Sequence, residues 1–193
     1  MIVNIVKRTF QNHYVSNQPP INLNNLLFSL IVMTNKTFWP LPSVKKAVPK
    51  SKSKKGFASN RRGNRFHCGT DIPASCGTDV IAIEEGIVKN IFLFTYPSLD
   101  KYNRYKKSYA IAIQHTNGNY GVYCEVQKPK LTIGQKIKAG QKIAKVKRIF
   151  SYNSIHTMLH FEYHSKLPKK TTRWYQNKKP KGLLNSTKYL RKI

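Results

Sequence analysis

The dipeptide Asn117-Gly118 stands between two strand-like runs, 109–115 and 120–126, rich in Tyr, Ile and Val. Asn-Gly is a strong hairpin signal because both residues tolerate the positive φ that a tight turn between twisted strands demands. The middle of the chain is thereby committed to antiparallel pairing. Shorter apolar runs at 79–83 and 86–92 repeat the pattern, and 134–146 reads as turn, strand, turn, strand, with Gly134 and Gly140 in the turns. Apolar spacing of the helical kind is not sustained over ten residues before the last segment. The expected class is mainly β: an antiparallel β-sandwich or open barrel of short strands with short helical turns. Near the end, Asn185 or Ser186 is placed to cap a terminal turn of helix.

Residues 1–37 differ from the rest and read as a segment of uncertain role, with 38–193 as the β domain. Their apolar run, 26–33, has the length of a signal-peptide core and falls well short of the ~20 residues that cross a bilayer. It lacks an adjacent basic stretch and a small-residue cleavage pattern. A cleaved signal, a packing segment and a stretch upstream of a start at Met33 are the readings it admits. From Phe38 the chain enters through a Pro-rich extended stretch, and the basic, Ser-rich residues 45–55 form a loop leading toward His67.

Lys and Arg number 35 against 7 Asp and Glu, a formal charge of +28 spread from Lys7 to Lys192. Such a field attracts polyanions of any kind, including anionic cell-wall polymers, and carries no sequence recognition of nucleic acid by itself. No nucleic-acid recognition motif accompanies it. The scarcity of acids makes each one informative. Three cysteines, Cys68, Cys76 and Cys124, are too few and odd in number for a disulfide framework, although Cys68 and Cys76 are close enough in sequence to pair in an oxidising compartment.

Two of the acids fall in stretches that also hold histidine. His67 and Asp71 stand four apart, and ninety residues later His160 and Glu162 lie on a strand-like run. Two imidazoles and a carboxylate suit zinc, and three protein ligands leave a fourth position for water, as catalytic sites require. Alternation along 155–163 puts His156, Met158, His160, Glu162 and His164 on one face, opposite Thr157, Leu159, Phe161 and Tyr163. His115, beside the Asn-Gly turn, reads as a hairpin residue, and Tyr123 and Trp174 as packing aromatics.

The order of these motifs resembles the M23 family of zinc endopeptidases of the lysostaphin and LytM type, which cut peptidoglycan peptides. The likeness rests on His67-x-x-x-Asp71, on the Gly-Thr-x-Val rhythm of 77–88, on the paired Gly-Gln-Lys-Ile turns of 134–143, and on Leu159-His160-Phe161-Glu162. It implies a LytM-like β domain, Zn²⁺ held by His67, Asp71 and His160, bacterial peptidoglycan peptide as substrate, and a monomer. The sequence itself leaves the localisation unknown; a wall substrate would imply the periplasm, the outside of the cell or a virion. Two positions depart from the family pattern: Glu125 and Met158 stand where non-ligand catalytic histidines are usual. The resemblance then leaves Glu125 as the general base, with His156 or His164 available beside the metal for a second catalytic role. A catalytically inactive wall- or partner-binding module of the same fold, and a basic nucleic-acid-binding protein, are the alternatives.

Overall fold

The computed structural model describes residues 36–50, 53–95, 107–150, 155–176 and 178–193; for 95, 149, 150, 155 and 156 it describes the backbone alone. The apolar run 26–33, nearly all of segment 1–37 and most of the connection 95–107 lie outside these residues. Among the described residues no helix is long and apolar enough to cross a membrane.

The largest element is an eight-stranded antiparallel sheet. Along it run β10 (Arg148–Phe150), β11 (Ile155–His164), β7 (Tyr120–Val126), β6 (Ser108–His115), β5 (Gly86–Thr95) and β8 (Lys136–Ile137). Two further strands, β3 (Thr70–Pro73) and β13 (Leu183–Leu184), also pair with β11. The expected hairpin joins β6 to β7. Gly118 takes a left-handed φ of 80°, and the Asn117 side chain accepts the Asn119 N–H at 2.9 Å.

Strand alternation divides the sheet's residues into two buried sets. Ile111, Ile113, Tyr123, Leu159 and Phe161 belong to the main core together with Val80 and Ile143. Those last two come from a two-stranded sheet of β4 (Asp79–Ile81) and β9 (Lys142–Lys145), which packs over that face. Ala110, Ala112, Val122 and Cys124 form a second cluster with Phe92 and Phe94. On β11 the residues between the core positions are Met158, His160, Glu162 and His164, and the register sets His160 beside Cys124 and Glu162 beside Val122. The sheet thus buries a hydrophobic core on one side and holds His160 and Glu162 on the other.

A third, three-stranded sheet of β1 (Asn60–Arg61), β2 (Arg65–Phe66) and β12 (Trp174–Tyr175) forms a wall beside the histidine face. The chain ends in α1 (Ser186–Leu190), capped by Asn185, whose side chain accepts the Lys188 N–H at 2.8 Å. Thr70 meets Ser186 and Thr187 through hydroxyl contacts of 2.8 Å, tying this helix to the strand that carries Asp71. The architecture is mainly β and open, with no closed barrel among the described residues. All three cysteines are free, so Cys68 and Cys76 do not pair: Cys68 is buried and Cys76 exposed.

Candidate metal centre

His67 precedes β3, Asp71 lies within it, and β3 pairs with β11 so that Asp71 sits directly opposite His160. The antiparallel register therefore brings together residues 89 positions apart. His67 Nε2, Asp71 Oδ1 and His160 Nδ1 form a triangle with sides of 3.0, 2.8 and 3.2 Å. A tetrahedral zinc with bonds of about 2.0–2.2 Å holds its ligand atoms about 3.3 Å apart, so a few tenths of an ångström of opening admits the ion.

The far nitrogens of both rings are occupied, which fixes which nitrogen faces the triangle. His67 Nδ1–H donates to the Gly56 carbonyl at 2.8 Å, and His160 Nε2–H donates to Glu162 Oε1 at 3.2 Å. Ligating histidines have this arrangement as a rule, the outer N–H held by a carbonyl or carboxylate. A neutral His67 then turns a lone pair, not a proton, toward Asp71. Burial lowers the His67 pKa despite the nearby carboxylate, favouring that neutral form. Burial also opposes charge on His160, but Asp71 and Glu162 on either side outweigh it and raise its pKa to about 10. Burial works against ionising Asp71 too, and the two imidazoles overcome it, holding the carboxyl far below the usual range. The donor set fits a divalent cation: it places negative charge in the triangle and a bare imidazole nitrogen beside it.

Glu162 anchors the second layer. Burial acts to raise its pKa, yet His160 and His164 pull it down to about 2. Its Oε2 accepts from His164 Nε2 at 2.8 Å and from the Thr172 hydroxyl at 2.8 Å. His164 is thus engaged behind Glu162, four residues and about 13 Å along the strand from His160, and it does not line the cleft. The backbone of His156 pairs with Ile149, and its side chain lies outside the described residues. A second cluster, Cys124 with His160 and Glu162, competes poorly for a metal. Cys124 has no exposure, burial pushes its thiol well up, and His160 Nε2 is already given to Glu162.

The triangle opens into a cleft of about 510 Å³, lined by Met158, Phe94, Thr172 and Trp174 among others. Glu125 enters it from β7. Its φ of 63° is left-handed, and the register between β6 and β7 shifts beside it, from Tyr109 opposite Val126 to Ala110 opposite Cys124. Glu125 is the extra residue of a bulge, a device that re-aims a side chain at a cost in backbone energy. Its Oε2 is buried with no hydrogen-bond partner. Burial pushes the Glu125 carboxyl up to about 7; His160 and Arg61 oppose this and Asp71 adds to it.

Two contributors carried no signal in the sequence. Arg61 Nη2 donates to Asp71 Oδ2 at 2.8 Å, fixing the carboxylate's other oxygen. Gly69 is required by a close approach: a Cβ there would lie 2.6 Å from His160 Nε2 and 2.6 Å from the Phe161 carbonyl oxygen. For Glu162 the signal existed, since alternation placed it on the face of His160 two residues away.

The model for Peptidase family M23 matches residues 65–173. No curated protein matches the sequence. Among solved structures, the antimicrobial peptidase lysostaphin from Staphylococcus simulans is similar at 19% identity over 71% of this chain and 48% of that one, with a TM-score of 0.50. A zinc containing peptidase from Vibrio cholerae shows 22% identity over 67% and 37%, with a TM-score of 0.48. A complex of SpoIIIAH and SpoIIQ shows 16% identity over 79% and 99%, with a TM-score of 0.49. The chain spans about half the length of lysostaphin. The matched residues cover more than half of the chain and contain His67, Asp71, Glu125 and His160, and on that footing the chain belongs to peptidase family M23.

Proposed function

We propose that this chain is a zinc-dependent endopeptidase that hydrolyses peptide bonds in bacterial peptidoglycan, with Glu125 as general base. The observation that carries the reading is Glu125 itself. A glutamate in left-handed backbone, with a buried and unpartnered carboxyl oxygen in the same cleft as a three-ligand metal set, is costly for stability. Such a cost is at home in a reacting centre.

His67, Asp71 and His160 would hold the ion through Nε2, Oδ1 and Nδ1, with Arg61 and Glu162 fixing their orientation. A zinc ion there supplies Lewis-acid activation of water and of the scissile carbonyl. Glu125 takes the proton of the attacking water and returns it to the leaving amine. Without the ion that carboxyl is raised to about 7, and a nearby cation would lower it toward the charged form that a base needs. Met158, at the cleft, neither donates a hydrogen bond nor holds a proton, so it gives no help to a developing oxyanion.

The non-catalytic reading, a module binding wall or a partner through this cleft, draws on the two departures from the family pattern, Glu125 and Met158. The complete donor set and the placement of Glu125 favour the enzyme. Purified protein should carry one zinc per chain and release peptides from sacculi, and Glu125→Ala should keep the zinc and lose the release. Protein without stoichiometric zinc, or release unchanged in Glu125→Ala, overturns the reading. Salt-sensitive binding to nucleic acid without any action on sacculi would support the basic-protein alternative.

A further inference from the structure

Lysine dominates the cationic surface of this chain: only 8 of its 35 Lys and Arg residues are arginine. Among the described residues the cleft reverses that proportion, being lined by Arg61, Arg65 and Arg173 and by no lysine. A general bias toward positive charge does not produce such a reversal. Guanidinium presents a planar fork that matches a carboxylate at two points, which an ammonium does not.

Arg61 is committed to Asp71. Arg65 and Arg173 are both exposed. Arg65 makes one long bond, from Nε to the Arg62 carbonyl at 3.3 Å, and Arg173 has no side-chain hydrogen bond or ion pair among the described residues. β12 pairs with β2 so that Tyr175 faces Arg65 and Trp174 faces Phe66. Arg173, two residues before Tyr175, therefore falls on the Arg65 side of the ribbon as a diagonal neighbour, about 7–8 Å away at the backbone. Two long side chains at that spacing can close on one anion.

Among the described residues the cleft has no acceptor to spare for them. Asp71 is taken by Arg61 and the two ligand histidines, and Glu162 by His160, His164 and Thr172. Glu125 is half-buried, and its Oε2 is shut away without any hydrogen-bond partner. Two donor forks thus line the cleft with no carboxylate partner among the described residues.

We infer that Arg65 and Arg173 form a carboxylate-binding subsite, so that the peptide drawn into the cleft carries a free carboxylate near the bond brought to the metal ligands. The inference rests on the hydrolase reading and names its substrate class: acidic wall peptide, not a neutral bridge.

The test uses zinc-loaded protein and sacculi stripped of phosphate polymers, either native or with their carboxyl groups converted to amides. Binding is measured by co-sedimentation at about 0.15 M salt, where long-range attraction is damped. Wild type should bind native sacculi roughly ten- to hundredfold more tightly than amidated ones, the worth of charge-assisted forks. R65A/R173A should bind both alike, and R65K/R173K should recover only part of the preference. The charge-matched K128A/K130A, altered at two exposed lysines absent from the cleft lining, should keep it. Equal binding of native and amidated sacculi by wild type overturns the inference, as does an equal loss in K128A/K130A. Tight binding only when phosphate polymers are left on the wall assigns the forks to phosphate and overturns it too. Peptide release is scored separately: selective binding without release would sink the hydrolase reading and leave the subsite standing.

Discussion

Glu125 offers the most demanding test, because its burial makes a prediction in free energy as well as in rate. In metal-free protein its carboxyl is raised from 4.5 to about 7, mainly by burial. The folded state therefore holds a proton that the unfolded state has released. The stability this confers is fully present below pH 4.5 and is lost as pH rises through about 7. Two and a half pKa units correspond to about 3 kcal/mol at 1.36 kcal/mol per unit. Glu125→Gln removes the titration while keeping the shape. Urea unfolding in EDTA should find the variant within about 1 kcal/mol of wild type at pH 5, and the variant's advantage should grow by about 2–3 kcal/mol by pH 8.5. Other groups titrate in both proteins alike and cancel in the difference. Saturating zinc should shrink the gap, since a nearby cation lowers the carboxyl's pKa and favours its charge. For the same reason the acid limb of the zinc enzyme's activity should fall below pH 7, with activity lost as pH drops and Glu125 is protonated. A difference that stays flat with pH would refute the buried, raised carboxyl. Wild-type peptide release by zinc-loaded Glu125→Gln would refute its role as base.

Gly69→Ala places a Cβ 2.6 Å from both His160 Nε2 and the Phe161 carbonyl oxygen, so the ligand ring must move. Zinc affinity by chelator competition should fall at least about tenfold and stability by about 1–3 kcal/mol, and an unchanged affinity would deny the contact. Glu162→Ala strips the partner from His160 Nε2, His164 Nε2 and the Thr172 hydroxyl at once. The same competition assay should show a loss of about 10–100-fold, and a smaller loss would mean that His160 is oriented by other groups. Thr187→Val leaves the Phe57 N–H, now donating to that hydroxyl at 2.9 Å, without its acceptor and the Thr70 hydroxyl without one of its partners. Thermal unfolding should register about 1–3 kcal/mol of destabilisation, while a neutral result would show that the helix is not held through this hydroxyl.

Much of the fold was legible because strands write their two faces into the sequence. Leu159, Phe161 and Tyr163 alternate with His160, Glu162 and His164, and the structure sorts them to opposite sides as period two requires. The hairpin at Asn117-Gly118 was legible for a similar local reason, since a backbone needing positive φ selects those residues. What stayed hidden depends on register between distant strands. Nothing local shows that Asp71 lands opposite His160, that Arg61 reaches the Asp71 carboxylate, or that His164 is spent on Glu162. The bulge at Glu125 was likewise invisible, because glutamate has no preference for left-handed backbone and the strain is imposed by the surrounding sheet.

That alternation also has a consequence for how β11 tolerates change. Its core face packs Leu159 and Phe161 with no exposure at all, so truncation there costs cavity energy and is felt as lost stability. Its other face holds His160 and Glu162 in a network whose charges balance only as a set: removing one member leaves the rest buried and unpaired. The strand thus separates two kinds of failure by parity, one read as unfolding and the other as loss of metal. A stability scan and a zinc-affinity scan along 158–163 should alternate out of phase. Two scans that rise and fall together would show that core and metal site are not independent, and that the ligand geometry is carried by the packing beneath it.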